Sequence, residues 1–288
     1  MIVLGAGAVG VELAQAYSEL GSTVTLLEVM DRLLAQEEPF AGEQLLAALR
    51  ERGIDVRLGA QVSAVRRDDA SVTVQFSDGD AVVADEILVA TGRRPRTDDL
   101  GLETVGLEPG ASIEVDETIR VANLPWLFAL GDVNGRALLT HAGKYQAHVA
   151  AEAIDGRRAR ATMDTGGVVP RVVFTEPQVA AVGLTLRAAR ERGLNALAYD
   201  VPSSITAGAS FHGRDTPGTS RLVVDEDRGL VVGATFTGTD VAEWLHAATI
   251  AIAGEVPVER LWDAIPAFPT RSEIWLRLLE RRRAGAAR

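Results

Sequence analysis

Residues 1–28 read MIVLGAGAVGVELAQAYSELGSTVTLLE, and the residue pattern changes repeatedly along this stretch. Residues 1–4 form a short apolar run, residues 5–10 are rich in glycine, and residues 11–20 carry apolar side chains at helical spacing. Residues 22–27 then form a second run that is rich in β-branched side chains. The stretch therefore predicts a strand, a tight turn, a helix and a second strand.

The glycine-rich turn is Gly5-Ala6-Gly7-Ala8-Val9-Gly10, which matches the G-x-G-x-x-G pattern of dinucleotide-binding βαβ units. In that pattern Gly5 permits the tight turn, Gly7 lets the backbone approach a pyrophosphate, and Gly10 lets the helix pack closely on its strand. The first N–H groups of the helix and its positive dipole end attract phosphate. The turn is therefore predicted to bind a dinucleotide pyrophosphate, although the same pattern also occurs in glycine turns that bind no ligand.

Glu28 ends the second predicted strand, eighteen residues after Gly10. A carboxylate about 20 residues beyond such a turn accepts hydrogen bonds from the hydroxyls of an adenosine ribose. This position favours NAD over NADP. Arg32 follows four residues later and offers a guanidinium suited to a 2′-phosphate, so NADP remains an alternative.

Composition limits the classes of partner for this 288-residue chain. A net charge of −11 and a pI near 4.9 argue against binding of nucleic acid or of an anionic membrane surface. No apolar run reaches the length of about 18 residues that a membrane span needs, and no secretory leader is recognisable, so a cytoplasmic location is expected. The chain has no cysteine, and its four histidines lack metal-ligand spacing, so neither a thiolate nucleophile nor a metal site is predicted.

The remainder of the N-terminal half alternates between strand and helix patterns. A helix is predicted over residues 40–52, and strands over residues 54–58, 62–66, 71–76 and 84–90. Residues 100–123 form a looser crossing segment, followed by a short strand at 127–130 and a helix at 139–154.

The C-terminal part is richer in strands. They are predicted at 168–174, 179–182, 220–225 and 229–236, with a hairpin turn at 226–229. Asp240, with Glu243 three residues later, predicts the capped start of a helix, and a final helix is predicted from near Thr270. The part as a whole predicts a mostly antiparallel sheet with helices on one side.

Five stretches in a fixed order resemble the pyridine nucleotide-disulfide oxidoreductases, the flavoprotein family of dihydrolipoamide dehydrogenase, glutathione reductase and mercuric reductase. They are residues 5–12 (GAGAVGVE), 90–95 (ATGRRP), 129–132 (ALGD), 174–177 with 182–185 (FTEP and VGLT), and 268–273 (FPTRSE). A single one of these motifs is a weak signal. Their shared order over nearly the whole chain makes the resemblance specific.

The resemblance implies an α/β fold in three parts. These are a Rossmann-like NAD(P)-binding domain at residues 1–90, a returning segment or remnant of an FAD-binding domain at 91–160, and an α+β dimerisation domain at 166–288. The implied cofactors are FAD and NAD, and the implied assembly is a homodimer. The predicted cofactor-binding residues are Gly5, Ala6, Gly7, Ala8, Val9, Gly10, Glu12, Glu28, Gly92, Gly131, Asp132, Leu138, Leu139, Thr140 and His141.

The resemblance also assigns roles within this set. Asp132 would hydrogen-bond the flavin ribitol, and residues 138–141 would lie against the isoalloxazine. Glu12 would lie near the nicotinamide, and Gly92 would lie beside the NAD.

Two departures from the family pattern bear on function. Relatives carry an FAD-binding glycine loop of their own ahead of the NAD domain, so a fragment of a longer flavoprotein or an incomplete FAD site is expected here. Disulfide-reducing relatives also carry a His-Pro-Thr-x-x-Glu segment, whose histidine is the acid and base for the partner subunit's thiols. Phe268 takes the histidine position in this chain, and a phenyl ring cannot transfer protons.

The glutamate of that segment remains as Glu273, which is interpreted as a helix carboxylate or a dimer contact rather than a catalytic residue. His212 and His246 are the alternatives for the missing histidine. His246 follows Trp244 and Leu245 and is interpreted as a packing or interface residue. No catalytic residue is therefore assigned.

These features predict an FAD-dependent NAD(P)H oxidoreductase. Hydride would pass from NADH to the flavin, and the electrons would then reach a small-molecule acceptor other than a disulfide, such as a quinone. The alternative is a catalytically inactive module that binds NAD and dimerises without flavin.

Overall fold

A computed structural model describes residues 1–164, 168–213 and 217–286. The chain divides into two compact units, one formed by Met1–Gly92 together with Pro170–Arg288 and the other by Arg93–Val169. The domain boundaries at 1–90, 91–160 and 166–288 stay a prediction, and the start of the third domain at residue 166 lies outside the described residues.

The N-terminal part of the first unit begins with the predicted strand, turn, helix and strand. Its elements are β1 (Ile2–Leu4), α1 (Ala8–Glu19), β2 (Thr25–Leu27), α2 (Pro39–Glu51), β3 (Asp55–Arg57), β4 (Val62–Arg67), β5 (Val72–Phe76), β6 (Ala81–Ala84) and β7 (Ile87–Val89). The parallel sheet has the order β3-β2-β1-β7, and β4, β5 and β6 form a separate antiparallel sheet.

The parallel sheet is covered on both faces, as the apolar sequence of β1 requires. Val3 packs with Val11 of α1 and Leu45 of α2, whereas its neighbour Ile2 packs with Val72 of the antiparallel sheet. Both β1 residues are fully buried. Because successive side chains of β1 point to opposite faces, the strand packs into both hydrophobic clusters. This packing holds the C-terminal end of β1, where the glycine turn begins.

The second unit, Arg93–Val169, contains β8 (Arg120–Val121), β9 (Leu124–Phe128) and α3 (Thr140–Ile154). A 3₁₀ turn, Gly131–Asn134, precedes α3 and packs on it. Gly143 permits this contact, because a Cβ atom there would lie 3.3 Å from the Cα atom of Gly131. The turn and the start of α3 are thereby held close together.

The C-terminal part of the first unit is the predicted antiparallel sheet with helices packed on it. Its elements are β10 (Arg171–Val173), β11 (Gln178–Gly183), α4 (Leu186–Glu191), β12 (Ala196–Pro202), β13 (Thr219–Asp225), β14 (Leu230–Gly238), α5 (Leu245–Ala253), α6 (Val258–Leu261) and α7 (Ile274–Ala286). The strand order is β10-β11-β14-β13-β12. One hydrophobic core joins Phe236 and Leu222 of the sheet to Leu245 of α5 and Leu278 of α7.

Two local predictions are wrong. The strand predicted over residues 84–90 is two elements, because Ala84 ends β6 and β7 begins only at Ile87. Asp240 does not cap a helix with its side chain, within the described part of the chain, because its backbone is left-handed with φ of +55°. A 3₁₀ turn at Val241–Trp244 follows, in which Trp244 packs edge-on against Phe236, and α5 starts after it.

The two parts of the first unit are joined by a polar seam, which we define as Glu37, Glu38, Arg171 and Arg221. Arg171 forms two hydrogen bonds with Glu37, Nε to Oε1 at 2.7 Å and Nη2 to Oε2 at 3.0 Å. Arg221 donates to Glu38 Oε2 at 2.8 Å, while the N–H of Leu186 donates to Glu38 Oε1 at 2.8 Å. Both glutamates are buried, so the seam consists of paired charges rather than solvated ones.

Candidate functional site

The glycine turn has the geometry that its sequence predicts. Gly5 has φ of +98°, and a Cβ atom there would lie 2.6 Å from the carbonyl oxygen of Ala90. At Gly10 a Cβ atom would lie 1.8 Å from the carbonyl oxygen of Gly5, so only glycine allows α1 this close to the turn. At Gly7, in contrast, no described atom outside Gly7 and its two chain neighbours lies within 4 Å of the Cβ position. The turn therefore packs tightly on both sides and is open in the middle.

The open side of the turn is also the start of α1. Gly7 is the N-cap residue, and no side chain of the described residues caps the first N–H groups. Gly7, Ala8 and Val9 are exposed, whereas Ala6 is buried. Exposed backbone N–H groups at a helix N-terminus, with a positive dipole end, form an anion-binding site.

A cleft of about 420 Å³ adjoins the turn and contains several of the predicted residues. It is lined by Leu4, Gly5, Ala6, Gly7, Leu27, Glu28, Val29, Ala60, Val62, Ala90, Thr91 and Gly92. The ends of β1, β2 and β7 all contribute, which is where open α/β sheets bind ligands. The structure thus brings the glycine turn, Glu28 and Gly92 to one cleft.

Glu28 makes two hydrogen bonds to the backbone that its sequence position does not predict. Its Oε2 accepts a hydrogen bond from the N–H of Ala6 at 2.6 Å, and its Oε1 accepts one from the N–H of Met30 at 2.9 Å. A carboxylate has about four acceptor positions, so capacity remains for ribose hydroxyls. Arg32 is the residue whose guanidinium made NADP an alternative coenzyme. It donates a hydrogen bond to the carbonyl oxygen of Ala35 in its own loop.

Glu12 lies on α1, away from the cleft-lining residues, and is bound to the C-terminal part of the unit. Its Oε1 accepts a hydrogen bond from the N–H of Phe174 at 2.7 Å. Gln15, one turn further along α1, accepts a hydrogen bond from the N–H of Glu176 at 2.8 Å. The segment after β10 is therefore hydrogen-bonded to α1 at two points.

The predicted flavin residues lie in the second unit. Gly131 has φ of +79° and Asp132 is exposed, with its Oδ2 3.3 Å from Nη1 of Arg93. The same Nη1 donates to the carbonyl oxygen of Leu138. These residues border a cavity of about 610 Å³, which is lined by Arg93, Arg94, Pro95, Arg96, Ser112, Asp132, Val133, Gly135 and Leu138.

The other residues predicted to bind flavin lie between this cavity and the start of α3. Leu139 is the N-cap residue of α3 and has an extended backbone, with φ of −136°. Thr140 and His141 form the exposed first turn of the helix. Their assignment to the isoalloxazine, like the other site assignments, stays a prediction.

A buried amide network, which the sequence does not predict, supports the Gly131–Asn134 turn. Gln146 is fully buried, and its Oε1 accepts hydrogen bonds from the N–H of Gly131 at 2.7 Å and from Asn134 Nδ2 at 2.9 Å. Its Nε2 donates to Asp164 Oδ2 at 3.0 Å, and Arg136 pairs with the same oxygen at 3.3 Å. A glutamine on an alanine-rich helix gave no local signal of this role.

The segment around Phe268 lacks a proton-transfer group at the position of the family histidine. The Phe268 ring is 76% exposed. Glu273 is buried in the 3₁₀ turn before α7, with its Oε1 3.7 Å from Nη2 of Arg277. His246 is exposed on α5, and the side chain of His212 lies outside the described part of the chain.

Within the described ranges 1–164, 168–213 and 217–286, no group of three or more His, Cys, Asp or Glu side chains is placed to hold a metal ion. In the same ranges, none of the helices combines the length and apolar character that a membrane crossing needs.

Comparison with known proteins identifies the family. The sequence model of the pyridine nucleotide-disulphide oxidoreductases matches residues 1–153, more than half of the chain. The chain belongs to this family. The model of the family's dimerisation domain matches residues 169–278. The predicted resemblance and the predicted fold class, a Rossmann-like part followed by an α+β dimerisation part, are confirmed.

Individual members of the family cover nearly all of this chain. A dihydrolipoyl dehydrogenase of Bacillus subtilis is 33% identical over 286 residues, which are 97% of this chain and 60% of the relative. A glutathione reductase of Burkholderia cepacia is 35% identical over 282 residues, or 97% of this chain and 62% of the relative. The chain therefore spans about three fifths of the length of these relatives.

Solved structures of family members show the same fold. LpdA from Mycobacterium tuberculosis matches with a TM-score of 0.87 at 27% identity, over 97% of this chain and 61% of that one. The HOCl-induced flavoprotein disulfide reductase RclA from Escherichia coli matches with a TM-score of 0.84 at 27% identity, over 97% and 64% of the two chains.

Proposed function

We propose that this chain binds NADH and acts in an FAD-dependent oxidoreductase that passes electrons to a small acceptor other than a disulfide, such as a quinone. The observation that carries the proposal is the open cradle at Gly7, at the exposed start of α1 and beside the Glu28 cleft. We assign NAD(P) binding to residues 1–90, the flavin segment to 91–160 and dimerisation to 166–288.

The residues of the cleft support NADH as the reduced coenzyme. The first N–H groups of α1 would hold the pyrophosphate, because the space at Gly7 admits it to hydrogen-bonding distance. Glu28 would accept hydrogen bonds from the adenosine ribose and would repel a 2′-phosphate. Arg32 binds the carbonyl oxygen of Ala35, which leaves it poorly placed to neutralise that phosphate.

The residues of the second unit fit a flavin. Gly131 is left-handed, and no described atom outside Gly131 and its two chain neighbours lies within 4 Å of its Cβ position, so a ligand can approach its backbone. Asp132 offers an exposed carboxylate to a ribitol hydroxyl. Its ion pair with Arg93 is more than half exposed on both sides and is worth about 0–1 kcal/mol, so a bound ligand can displace it. When bound, a flavin would accept hydride from the reduced nicotinamide and release the electrons to an acceptor.

The proposal of a non-disulfide acceptor rests on Phe268. A thiolate leaving group needs a proton donor, and the exposed phenyl ring at this position offers none. Glu273 is buried beside Arg277, so it does not replace the lost histidine as a proton donor at the surface. A flat apolar acceptor such as a quinone is compatible with a phenyl ring and needs no thiol relay.

Steady-state oxidation of NADH by the purified chain, loaded with FAD, tests the proposal. A quinone should be reduced faster than a small disulfide such as lipoamide, and NADH should be a better donor than NADPH. Faster reduction of the disulfide would contradict the proposed acceptor class. A preference for NADPH would contradict the roles given to Glu28 and Arg32.

A second candidate function is an NAD-binding, dimerising module without flavin. The observation that favours it is Arg93, which bridges Asp132 and the carbonyl oxygen of Leu138, two positions that the resemblance gives to the flavin. The visible absorbance spectrum separates the two functions. A protein that binds NADH but remains colourless after incubation with FAD and removal of the excess would support the module.

We also propose a homodimer formed through the C-terminal part. An apolar cavity of about 580 Å³ lies among α5, α6 and the start of α7, and next to it Ile265 is 87% exposed. Apolar surface of this kind is typical of subunit interfaces. Light scattering at micromolar concentration should give the mass of two chains, and a mass of 30.6 kDa would contradict the dimer.

A further inference from the structure

We propose that Phe174 positions the nicotinamide ring of the coenzyme, a role that rests on the proposed binding of NADH. Phe174 directly follows β10. Its ring is 67% exposed, whereas its neighbour Val173 is buried in the hydrophobic cluster that contains Val11 and Ala14 of α1. A large aromatic ring thus stands in solvent beside the helix that begins at the glycine turn.

Hydrogen bonds fix the place of Phe174 along α1. The N–H of Glu176 binds Gln15, and the N–H of Phe174 binds Glu12, which is three residues nearer to the start of the helix. Residues three and four apart share a helix face, so the segment runs along one face of α1 towards its N-terminus. Ala8, the first residue of α1, lies one further turn, or about 5.4 Å, beyond Glu12 on that face.

The course of a bound dinucleotide brings one end towards Phe174. Its pyrophosphate would lie at the start of α1, and its adenosine ribose would lie at Glu28, whose Oε2 is bound to the N–H of Ala6 on the strand side of the turn. The nicotinamide riboside is attached to the opposite end of the pyrophosphate, so it must extend in another direction. Phe174 is held beside the same helix start, on the face that carries Ala8 and Glu12, and so lies within reach of that half.

The chemistry of the two rings matches. Nicotinamide is a flat ring, so it gains from offset-stacked or edge-to-face contact with a phenyl group, and its cationic oxidised form gains further from contact with the phenyl face. A side chain with only two rotatable bonds, mounted on a backbone tied to α1, loses little conformational entropy when it makes that contact. Phe174 is therefore a positioning residue for the reacting end of the coenzyme, distinct from the residues that hold the adenosine and the phosphates.

Calorimetric titration of the full chain with two ligands tests this role. NADH contains the nicotinamide, whereas ADP-ribose contains the same adenosine and pyrophosphate without it. F174A should weaken NADH about two- to tenfold, the range expected for one aromatic contact, and should leave the affinity for ADP-ribose unchanged. F174Y keeps the ring and should bind both ligands as the wild type does.

Two controls separate this inference from the proposed function. E28A should weaken both ligands, because it acts on the adenosine that they share. Melting of F174A, followed by circular dichroism, should match the wild type, since the ring is mostly exposed. Wild-type protein that binds neither ligand would overturn NADH binding and the role of Phe174 together. Wild-type protein that binds both, with F174A binding NADH equally well, would overturn the role of Phe174 alone.

Discussion

Replacing Gly7 with alanine should abolish tight NADH binding while leaving the protein folded. Gly7 has φ of −73°, which alanine adopts without strain, and its Cβ position is free of described atoms within 4 Å. Alanine is a poorer N-cap residue than glycine by about 0.5–1 kcal/mol. Alanine also restricts the unfolded chain more than glycine does, which raises the free energy of unfolding by about 0.4–1 kcal/mol. The net change in stability should stay within about 1 kcal/mol, or a shift in Tm of roughly 2–4 °C.

The same methyl group occupies the space that a pyrophosphate needs. A phosphate oxygen must come within about 2.9 Å of a backbone nitrogen to form a hydrogen bond, whereas carbon requires a separation of about 3.5 Å. Each charge-assisted bond that is lost costs about 1.5–3 kcal/mol. Loss of one such bond raises the Kd at least about tenfold, and loss of two raises it about a hundredfold or more.

Calorimetric titration with NADH and thermal melting should be run on the wild type, G7A and G10A. G10A is the contrasting variant, because its Cβ atom would lie 1.8 Å from the carbonyl oxygen of Gly5 and should disrupt the packing of α1 itself. We expect G7A to lose binding alone and G10A to lose stability as well. Wild-type NADH affinity in a normally folded G7A would show that no pyrophosphate approaches this turn.

The polar seam and one ion pair give further predictions. E38A should lower the free energy of unfolding, measured in urea, by about 3 kcal/mol. Glu38 is only 2% exposed, and its removal leaves the Leu186 N–H and part of the Arg221 charge unpaired. E51A, at an exposed glutamate, is the control. In E226Q the free energy of unfolding should fall less steeply than in the wild type as the pH is lowered. Burial raises the pKa of Glu226, but hydrogen bonds from Arg282 and Tyr199 outweigh it, so the net pKa lies below 4.5. The stabilisation is therefore complete above pH 4.5 and lost as the pH falls below it, and a wild-type acid limb equal to that of E226Q would contradict this role.

The elements that the sequence predicts correctly are those with a local signal. The glycine turn marks both its own position and the start of α1, and the turn at 226–229 correctly joins β13 to β14. β12 was missed because its sequence, ALAYDVP, contains alanine, aspartate and proline, which are uncommon in strands. Its strand conformation depends on pairing with β13, in which Tyr199 lies opposite Leu222. Such pairing depends on residues distant in sequence.

The contacts that organise the candidate site are of the same non-local kind. Glu12 and Phe174 are 162 residues apart in sequence, and no periodicity relates them. Glu37 and Arg171, at a separation of 134 residues, show how the N-terminal part fixes the start of β10 just before Phe174. The sequence alone therefore predicts candidate residues for phosphate and ribose, but it does not predict that Phe174 lies beside the same helix.

Glu28 shows how a prediction from local sequence can be incomplete. Its carboxylate braces the turn through the N–H of Ala6, so a loss of NADH affinity in E28A combines a lost ribose contact with a loosened turn. E28Q separates the two effects in part, because its amide oxygen can still accept from one backbone N–H while the negative charge is gone. If repulsion of a 2′-phosphate is the main function of the charge, E28Q should gain affinity for NADPH relative to NADH. If bracing dominates, E28Q should lose affinity for both coenzymes to the same extent.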